Sequence, residues 1–372
     1  MKRSTLLTLG GLGLASWAVA RSLRSDISFA GKVVIITGGS RGLGLIMARL
    51  LTLEGARLAI LARDETELAN ACSELRSLGG EALPVQCDLL DRDQTLGAVQ
   101  KVVDHFGTID VLINNAGIIE VGPVEDQPLS AYRRAMATNF FGALHTTQAA
   151  LPHMLRIAYD RPASIVNIAS IGGKVAVPHL LPYVASKFAL VGFSQGLHAE
   201  LRHKGIRVTT VCPGLMRTGS HVHVSFVGDQ HKESRWFTLA ATTPVIAASV
   251  RHAANRIYSA VAAGRAEITI TPQAWLAARV AGAAPATTQF LASLANEFLL
   301  PESPVSNQLP LRFNLRTLDS HRLHRIREDQ PDQTPIPFEE TPAKSDVAND
   351  EDSSDKKASF THWPSPSDQP LM

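Results

Sequence analysis

The sequence predicts an alternating α/β fold, with one doubly wound parallel sheet covered by helices on both faces in a single domain. Three observations predict it. Apolar runs of strand length alternate with helical patterns from Lys32 to Ile270. The first run, Val33 to Thr37, leads into a turn holding Gly38, Gly42 and Gly44 and then into a helical pattern through Leu45, Ala48, Leu50 and Leu51. The strand–helix units repeat at a length that implies parallel rather than hairpin connections.

Each element follows from its residues. Arg57 to Ala62 reads as a second buried strand and Glu81 to Cys87 as a third, separated by a helix over Glu65 to Leu78. Leu96, Val99, Val102, Val103 and Phe106 mark the next helix, and Ile109 to Ile113 a fourth strand. A long helix is expected around Tyr132 to Leu155, a fifth strand at Ser164 to Ala169, a helix over Pro182 to Leu201 and a sixth strand at Ile206 to Cys212. A helix over Val245 to Ala262 and a strand at Glu267 to Ile270 close the pattern. Residues 215–243 break the rhythm just past a strand's C-terminal end, where open α/β sheets bind ligands, and read as a mobile substrate loop. Residues 271–300 carry Trp275, Leu276, Val280, Phe290, Leu291, Leu294, Phe298, Leu299 and Leu300, and predict two more helices. That apolar end could complete the core, form an oligomer face or rest on a membrane.

Composition narrows the classes. A net charge of +2 gives no global case for nucleic acid. The balance is uneven, because residues 331–372 hold nine acidic residues, three lysines and seven prolines. Residues 301–372 are therefore expected to be a disordered acidic tail. Cys72, Cys87 and Cys212 are too few and too scattered for a disulfide framework or a zinc site. His221 and His223 lack accompanying ligands, so no metal is expected.

The strand–glycine–helix stretch has the chemistry of a phosphate cradle. Glycines allow a tight turn and close approach of the backbone, and the helix start offers N–H groups and a positive dipole end. Tyr183 and Lys187, four apart on a predicted helix, share a face. An ammonium beside a phenol favours the phenolate, so Lys187 is expected to lower the Tyr183 pKa and make it a usable acid/base. Ser170 ends the fifth strand and can hydrogen-bond the oxygen that Tyr183 serves.

With TGGSRGLG at 37–44, NNAG at 114–117, Asn139, Ser170, YVASK at 183–187 and PGLMRT at 213–218, the chain resembles the short-chain dehydrogenase/reductase family over Ala30 to Ile270. The resemblance implies a Rossmann-type domain over residues 29–300 and an oxidoreductase that interconverts a carbonyl and an alcohol. It implies Tyr183 as acid/base, Ser170 orienting the substrate oxygen, Lys187 also holding the nicotinamide ribose, and Asn139 supporting a water-linked proton path to Lys187. Outside the family context, Asn139 could be a helix-kink or capping residue. Cofactor contacts carry over to Gly38, Ser40, Arg41, Gly42, Leu43 and Gly44, to Asn115, Ala116 and Gly117, and to Pro213, Gly214 and Thr218. Asn114 is expected to steady the centre of the sheet. Asp88 matches the adenine-contacting Asp, or caps the next helix. The second strand ends in Arg63 rather than an acidic residue, and with Arg41 it favours NADP over NAD. Adjacent Asp64 works against this.

The substrate is expected to be a small carbonyl or alcohol. Val175, Val177, Leu180, Leu181, Leu215 and Phe226 point to a lipophilic one, such as an acyl chain, steroid or retinoid, unless they are ordinary core. A sensor or scaffold without turnover and an epimerase or dehydratase of the same extended family are the alternatives. Family members are commonly dimers or tetramers, so a homo-oligomer is expected.

Residues 1–28 stand apart. Lys2 and Arg3 precede an uncharged stretch from Ser4 to Ala20, and Arg21 and Arg24 follow. A membrane anchor is the first reading, because a nicotinamide-dependent domain needs the cytosolic pool. A cleaved signal ending at Ala18-Val19-Ala20 and an arm packed on the domain are the others. The anchor puts the catalytic domain at a membrane facing the cytoplasm, and the packed arm puts it in the cytoplasm.

Overall fold

The computed structural model of the chain describes residues 27–217, 224–243 and 247–304. The described residues all belong to one compact unit. The anchor or signal reading of residues 4–20, the disorder of the tail beyond Pro304, and Thr218, His221 and His223 fall outside them. Among the described residues no helix is long and apolar enough to cross a membrane, and no group of His, Cys, Asp or Glu could hold a metal ion.

The first half of the chain alternates as expected: β1 (Val33–Thr37), α1 (Gly42–Leu53), β2 (Arg57–Ala62), α2 (Glu65–Ser77), β3 (Glu81–Gln86), α3 (Arg92–Phe106) and β4 (Val111–Asn114). A two-residue strand, β5 (Glu120–Val121), follows, then α4 (Leu129–Met136), α5 (Gly142–Ile157), β6 (Ala163–Ile168), α6 (Leu181–Leu201) and β7 (Ile206–Cys212). Beyond β7 lie β8 (Met216–Arg217), β9 (Ser225–Phe226), α7 (Gln230–Thr242), β10 (Ala248–Ser249), α8 (Val250–Ala262), β11 (Glu267–Thr269), α9 (Pro272–Ala283) and α10 (Pro285–Leu299).

Seven strands form one sheet in the order β11-β7-β6-β4-β1-β2-β3. Every pairing in it is parallel. β-Branched and apolar residues fill the central strands because both faces are covered. Val34 and Ile36 pack with Met47, Ala48 and Leu51 of α1 and with Ile257 and Val261 of α8. Val33 and Ile35 point the other way, with Val99 and Val102 of α3 and Ala150 and Met154 of α5. The order in which strands are added reverses between β1 and β4, with β2 and β3 on one side and β4, β6 and β7 on the other, and that switch opens the ligand crevice at the C-terminal edge.

Three features differ from the sequence reading. The helix expected over 132–155 is split by a π turn at Ala137–Phe141, which swings Asn139 inward. Residues 215–243, expected as a loop, contain α7 with its own N-cap, since Asp229 accepts from the Lys232 N–H. Short pairs tie this segment down, β5 with β9 and β8 with β10. The helix expected from Val245 begins at Val250, where Ser249 caps it. The two C-terminal helices form as expected, but α10 buries none of its residues. Trp275, Leu276, Phe290, Leu291, Phe298 and Leu299 are all exposed.

Candidate active site

The glycine loop is held by its neighbours. The Asn115 Nδ2 donates to the carbonyls of Thr37 and Gly38, both at 3.0 Å. The Thr37 hydroxyl accepts from the N–H groups of Asn115 and Ala116 at 3.0 and 3.1 Å. Asn115 is therefore a brace for the loop, and its amide is spent on the backbone. Thr37, the last strand position and the first of the TGGSRGLG motif, carried no expected role of its own, yet its hydroxyl is a second brace of the loop.

The cradle fits a dinucleotide phosphate in shape. Gly42 has φ +56° and nothing within 4 Å of the space a Cβ would fill, so its backbone is open. A Cβ at Gly44 would fall on the Gly38 carbonyl and stand 2.6 Å from the Asn115 Nδ2. No side chain caps α1, and its first turn holds no acidic residue, which leaves the dipole end to an anion. Leu43, by contrast, buries its side chain in the core. Arg41 pairs with Glu67 at 3.0 Å, and Ser40 donates to the same carboxylate at 3.2 Å. Arg63 is exposed at the end of β2. Asp88 does not cap α3. That role belongs to Asp91, which accepts from the N–H groups of Asp93 and Gln94. The Asp88 carboxylate instead accepts from the Leu90 N–H at 3.1 Å.

Deeper in the crevice the polar groups converge. Asn114 steadies the sheet, donating to Asn167 at 2.9 Å and Thr147 at 3.0 Å and accepting from Thr146 at 2.6 Å. Asn167 donates on to Ser194, which accepts from Thr210 at 2.7 Å. Ser170 follows β6, and its hydroxyl accepts from the Gly172 N–H at 3.0 Å and lies with the Tyr183 ring against Gly172, 3.4 and 3.3 Å from the space a Cβ there would fill. Lys187, buried, donates to the Ile168 carbonyl at 2.9 Å, with its ammonium 5.7 Å from the centre of the Tyr183 ring. Asn139 bonds both to Ile118 and to the Ser186 hydroxyl. A Cβ at Gly117 would meet the Asn139 Oδ1 at 2.9 Å and the Lys187 Nζ at 3.4 Å. The NNAG backbone thus passes directly over this group. Pro213 accepts from the Ile171 N–H at 2.8 Å, and Gly214 lies against Thr271.

The expected lowering of the Tyr183 pKa does not occur. Burial pushes the phenol up to about 12, against the pull of the Ser170 hydrogen bond. Tyr183 is only half-buried, so water reaching the crevice tempers that push without reversing it. Burial also pushes Lys187 down to about 8 and the Cys212 thiol up to about 12. Lys187 is aimed at a carbonyl rather than at the phenol oxygen, so desolvation outweighs its charge at Tyr183.

The apolar residues expected at the pocket divide. Leu180, Val177 and Phe226 pack with Phe237 and Trp236 of α7. Val175, Val177 and Leu181 line an open cleft of about 530 Å³ that α10 walls on one side. Leu181 and Phe188 lie on the side of α6 away from Tyr183 and Lys187, so this cleft backs the catalytic face rather than forming it.

A glycine cradle at the switch point of a parallel sheet, beside a buried Ser–Tyr–Lys–Asn group, defines a dinucleotide-binding oxidoreductase. The chain belongs to the short-chain dehydrogenase family, whose sequence profile matches residues 32–225. It is 36% identical over 220 residues to a putative ketoacyl reductase of Streptomyces coelicolor, covering 58% of this chain and 83% of that protein. Its fold is similar to a short-chain dehydrogenase/reductase from Burkholderia phymatum solved with NAD, with a TM-score of 0.65, 25% identity and coverage of 70% and 96% of the two chains. It is also similar to an actinorhodin polyketide ketoreductase variant solved with NADPH, with a TM-score of 0.57, 32% identity and coverage of 64% and 95%.

Proposed function

We propose that the protein is an NADP(H)-dependent reductase of a lipophilic ketone or aldehyde, with Tyr183 as its proton donor. The observation that carries this is the Ser170 hydroxyl and the Tyr183 ring converging on Gly172 at the C-terminal edge of the sheet, 3.4 and 3.3 Å from the space a Cβ there would fill, with Lys187 and Asn139 packed beside them. Bound NADPH would supply the hydride to the carbonyl carbon. The chain's own residues would do the rest. Gly38, Gly42, Gly44 and the start of α1 would hold the pyrophosphate. Ala116, Gly117, Pro213, Gly214 and Thr218 would line the nicotinamide half, with Asp88 toward the adenine. Ser170 would hydrogen-bond the substrate oxygen and orient it. A phenol held up near 12 stays protonated at neutral pH, so Tyr183 would enter as an acid and pass its proton to that oxygen as the alcohol forms. Lys187 would fix the ribose hydroxyls, and Asn139 would hold the Ile118 backbone and Ser186 around them.

NADP is favoured by Arg63, exposed where a 2′-phosphate would lie. Arg41 contributes less than expected from the sequence, because Glu67 already pairs with it. A lipophilic substrate is supported by the apolar wall of Val177, Leu180 and Phe226 and by likeness to ketoacyl reductases. Residues 4–20, flanked by Lys2, Arg3, Arg21 and Arg24, would tether the domain to a membrane.

The test is cofactor oxidation by the full chain on a panel of aliphatic ketones and aldehydes, with NADPH and NADH, beside Tyr183→Phe. Turnover with NADPH that is lost in the variant supports the reading. Tight NADPH binding with no turnover on any compound would leave a binding protein instead.

A further inference from the structure

His179 stands four residues before Tyr183 and has a left-handed backbone, φ +62°, found at no other non-glycine residue among those described. Such a conformation costs a side-chain-bearing residue on the order of 1 kcal/mol and persists only where the surroundings enforce it. Here they do. Its carbonyl accepts from the Gly122 N–H at 2.8 Å. Its imidazole Nδ1 lies 2.9 Å from Glu233 Oε1, with both side chains buried. The second oxygen of Glu233 accepts from the Trp236 indole N–H at 2.6 Å. The indole stands edge-on to the imidazole at 6.3 Å.

This polar group joins two segments that share no strand of the main sheet. His179 belongs to the link between Ser170 and Tyr183. Glu233 and Trp236 belong to α7, past the end of β7. The packing around this group is apolar, with Phe237 and Ala241 clustered against Leu180 and Val184 and against Val121 of β5. Apolar packing is non-directional and leaves a helix free to slide or roll. A buried carboxyl group with both oxygens hydrogen-bonded does not, because any shift leaves buried polar atoms without partners.

We propose that His179 is a positioning residue. Through Glu233 and Trp236 it fixes α7 against the first turn of α6, and so sets the substrate-facing wall beside Tyr183, governing substrate KM rather than proton transfer. The substrate half of this rests on the reductase reading above. The fastening half does not.

The test uses the full chain with three variants. His179→Asn keeps a residue tolerant of positive φ but is too short to reach Glu233. Glu233→Leu keeps volume and removes the acceptor. Glu233→Gln keeps an acceptor for Trp236 and a donor for His179, and should restore the wild-type behaviour. Hydrogen exchange across 230–242 is expected to rise at least tenfold in the first two variants, with the NADPH dissociation constant within twofold of wild type. On a series of methyl ketones from butanone to 2-dodecanone, KM for the longer members should rise at least tenfold while kcat stays within threefold. Unchanged exchange across 230–242 would overturn the fastening. Raised exchange with unchanged KM would reduce the group to structural support and overturn the positioning role. Absence of turnover by the wild-type chain would overturn the reductase reading and with it the substrate half, while exchange still decides the fastening.

Discussion

The Asn139 amide closes on the backbone of Ile118 from both sides, accepting from its N–H at 2.8 Å and donating to its carbonyl at 3.1 Å. Its second Nδ2 hydrogen goes to Ser186, one residue before Lys187. The π turn at Ala137–Phe141 is what brings this side chain inward. Asn139→Ala should leave buried polar groups of Ile118 and Ser186 unpaired. A loss of about 1–3 kcal/mol is expected, read as a lower urea midpoint at unchanged m-value. A kcat reduced at least tenfold should accompany it, and a stability equal to wild type would contradict the account.

Tyr183→Phe removes the transferable proton and little volume. Carbonyl reduction should fall by roughly 10²–10⁴-fold, while NADPH binding and thermal midpoint stay near wild type. Retention of more than about a tenth of the rate would move the acid role to another group.

The two shifted groups give opposite pH signatures. Lys187, at about 8 when folded, is easier to deprotonate than in the unfolded chain. Its burial therefore weakens the fold at low pH, and stability rises with pH between about 8 and the ordinary lysine value. Tyr183, at about 12, has the reverse sign. The unfolded phenol ionises first, and stability falls as pH passes the ordinary tyrosine value near 10. Lys187→Met should flatten the rising limb and Tyr183→Phe should soften the falling one in denaturation series at fixed salt. The kcat for reduction should decline as pH rises through about 8, where Lys187 loses its charge while Tyr183 keeps its proton.

Gly42 and Gly44 should respond differently to alanine. At Gly42 there is space but a positive φ, so the cost is backbone strain of about 1 kcal/mol, and the protein should fold with weakened NADPH binding. At Gly44 a methyl would meet the Gly38 carbonyl and the Asn115 brace. Gly44→Ala should displace the loop, abolish measurable NADPH binding and lower the thermal midpoint. Equal binding by the two variants would count against the cradle.

Arg63→Ala should raise KM for NADPH roughly tenfold or more, as expected for loss of a charge-assisted phosphate contact, and leave KM for NADH within about twofold. Arg41→Ala should have the smaller effect, because Glu67 already engages that guanidinium. An unchanged NADPH KM in Arg63→Ala would remove the case for a 2′-phosphate site.

Much of the fold was legible because its signals are local. Arg57–Ala62 and Ile206–Cys212 are apolar runs bounded by polar or glycine residues, and both are strands over those residues. Tyr183 and Lys187 were legible through helical spacing. Where a long-range contact sets the geometry, sequence periodicity carried no sign of it. The π turn is stabilised by Asn139 reaching Ile118, 21 residues away. The helix over Gln230–Thr242 buries only Glu233, Phe237 and Ala241, too few apolar positions to stand out, although Asp229 was a readable cap. Glu233 meets His179 across 54 residues. The direction of the Tyr183 shift was missed because desolvation depends on the packed surroundings, which spacing alone does not reveal.

The buried chain of hydrogen bonds from Asn114 through Asn167 and Ser194 to Thr210 links β4, β6 and β7 by way of α6. Asn114 and Asn167 face each other in the strand register. If either strand slipped by one residue, each amide would swing to the opposite face of the sheet and lie among hydrocarbon side chains. The group acts as a registration mark: an apolar strand can be assembled out of step at little immediate cost, but these three strands reach a dry, satisfied interior in only one alignment. Errors of assembly are thereby penalised while the sheet is still forming, before any ligand can select the correct arrangement.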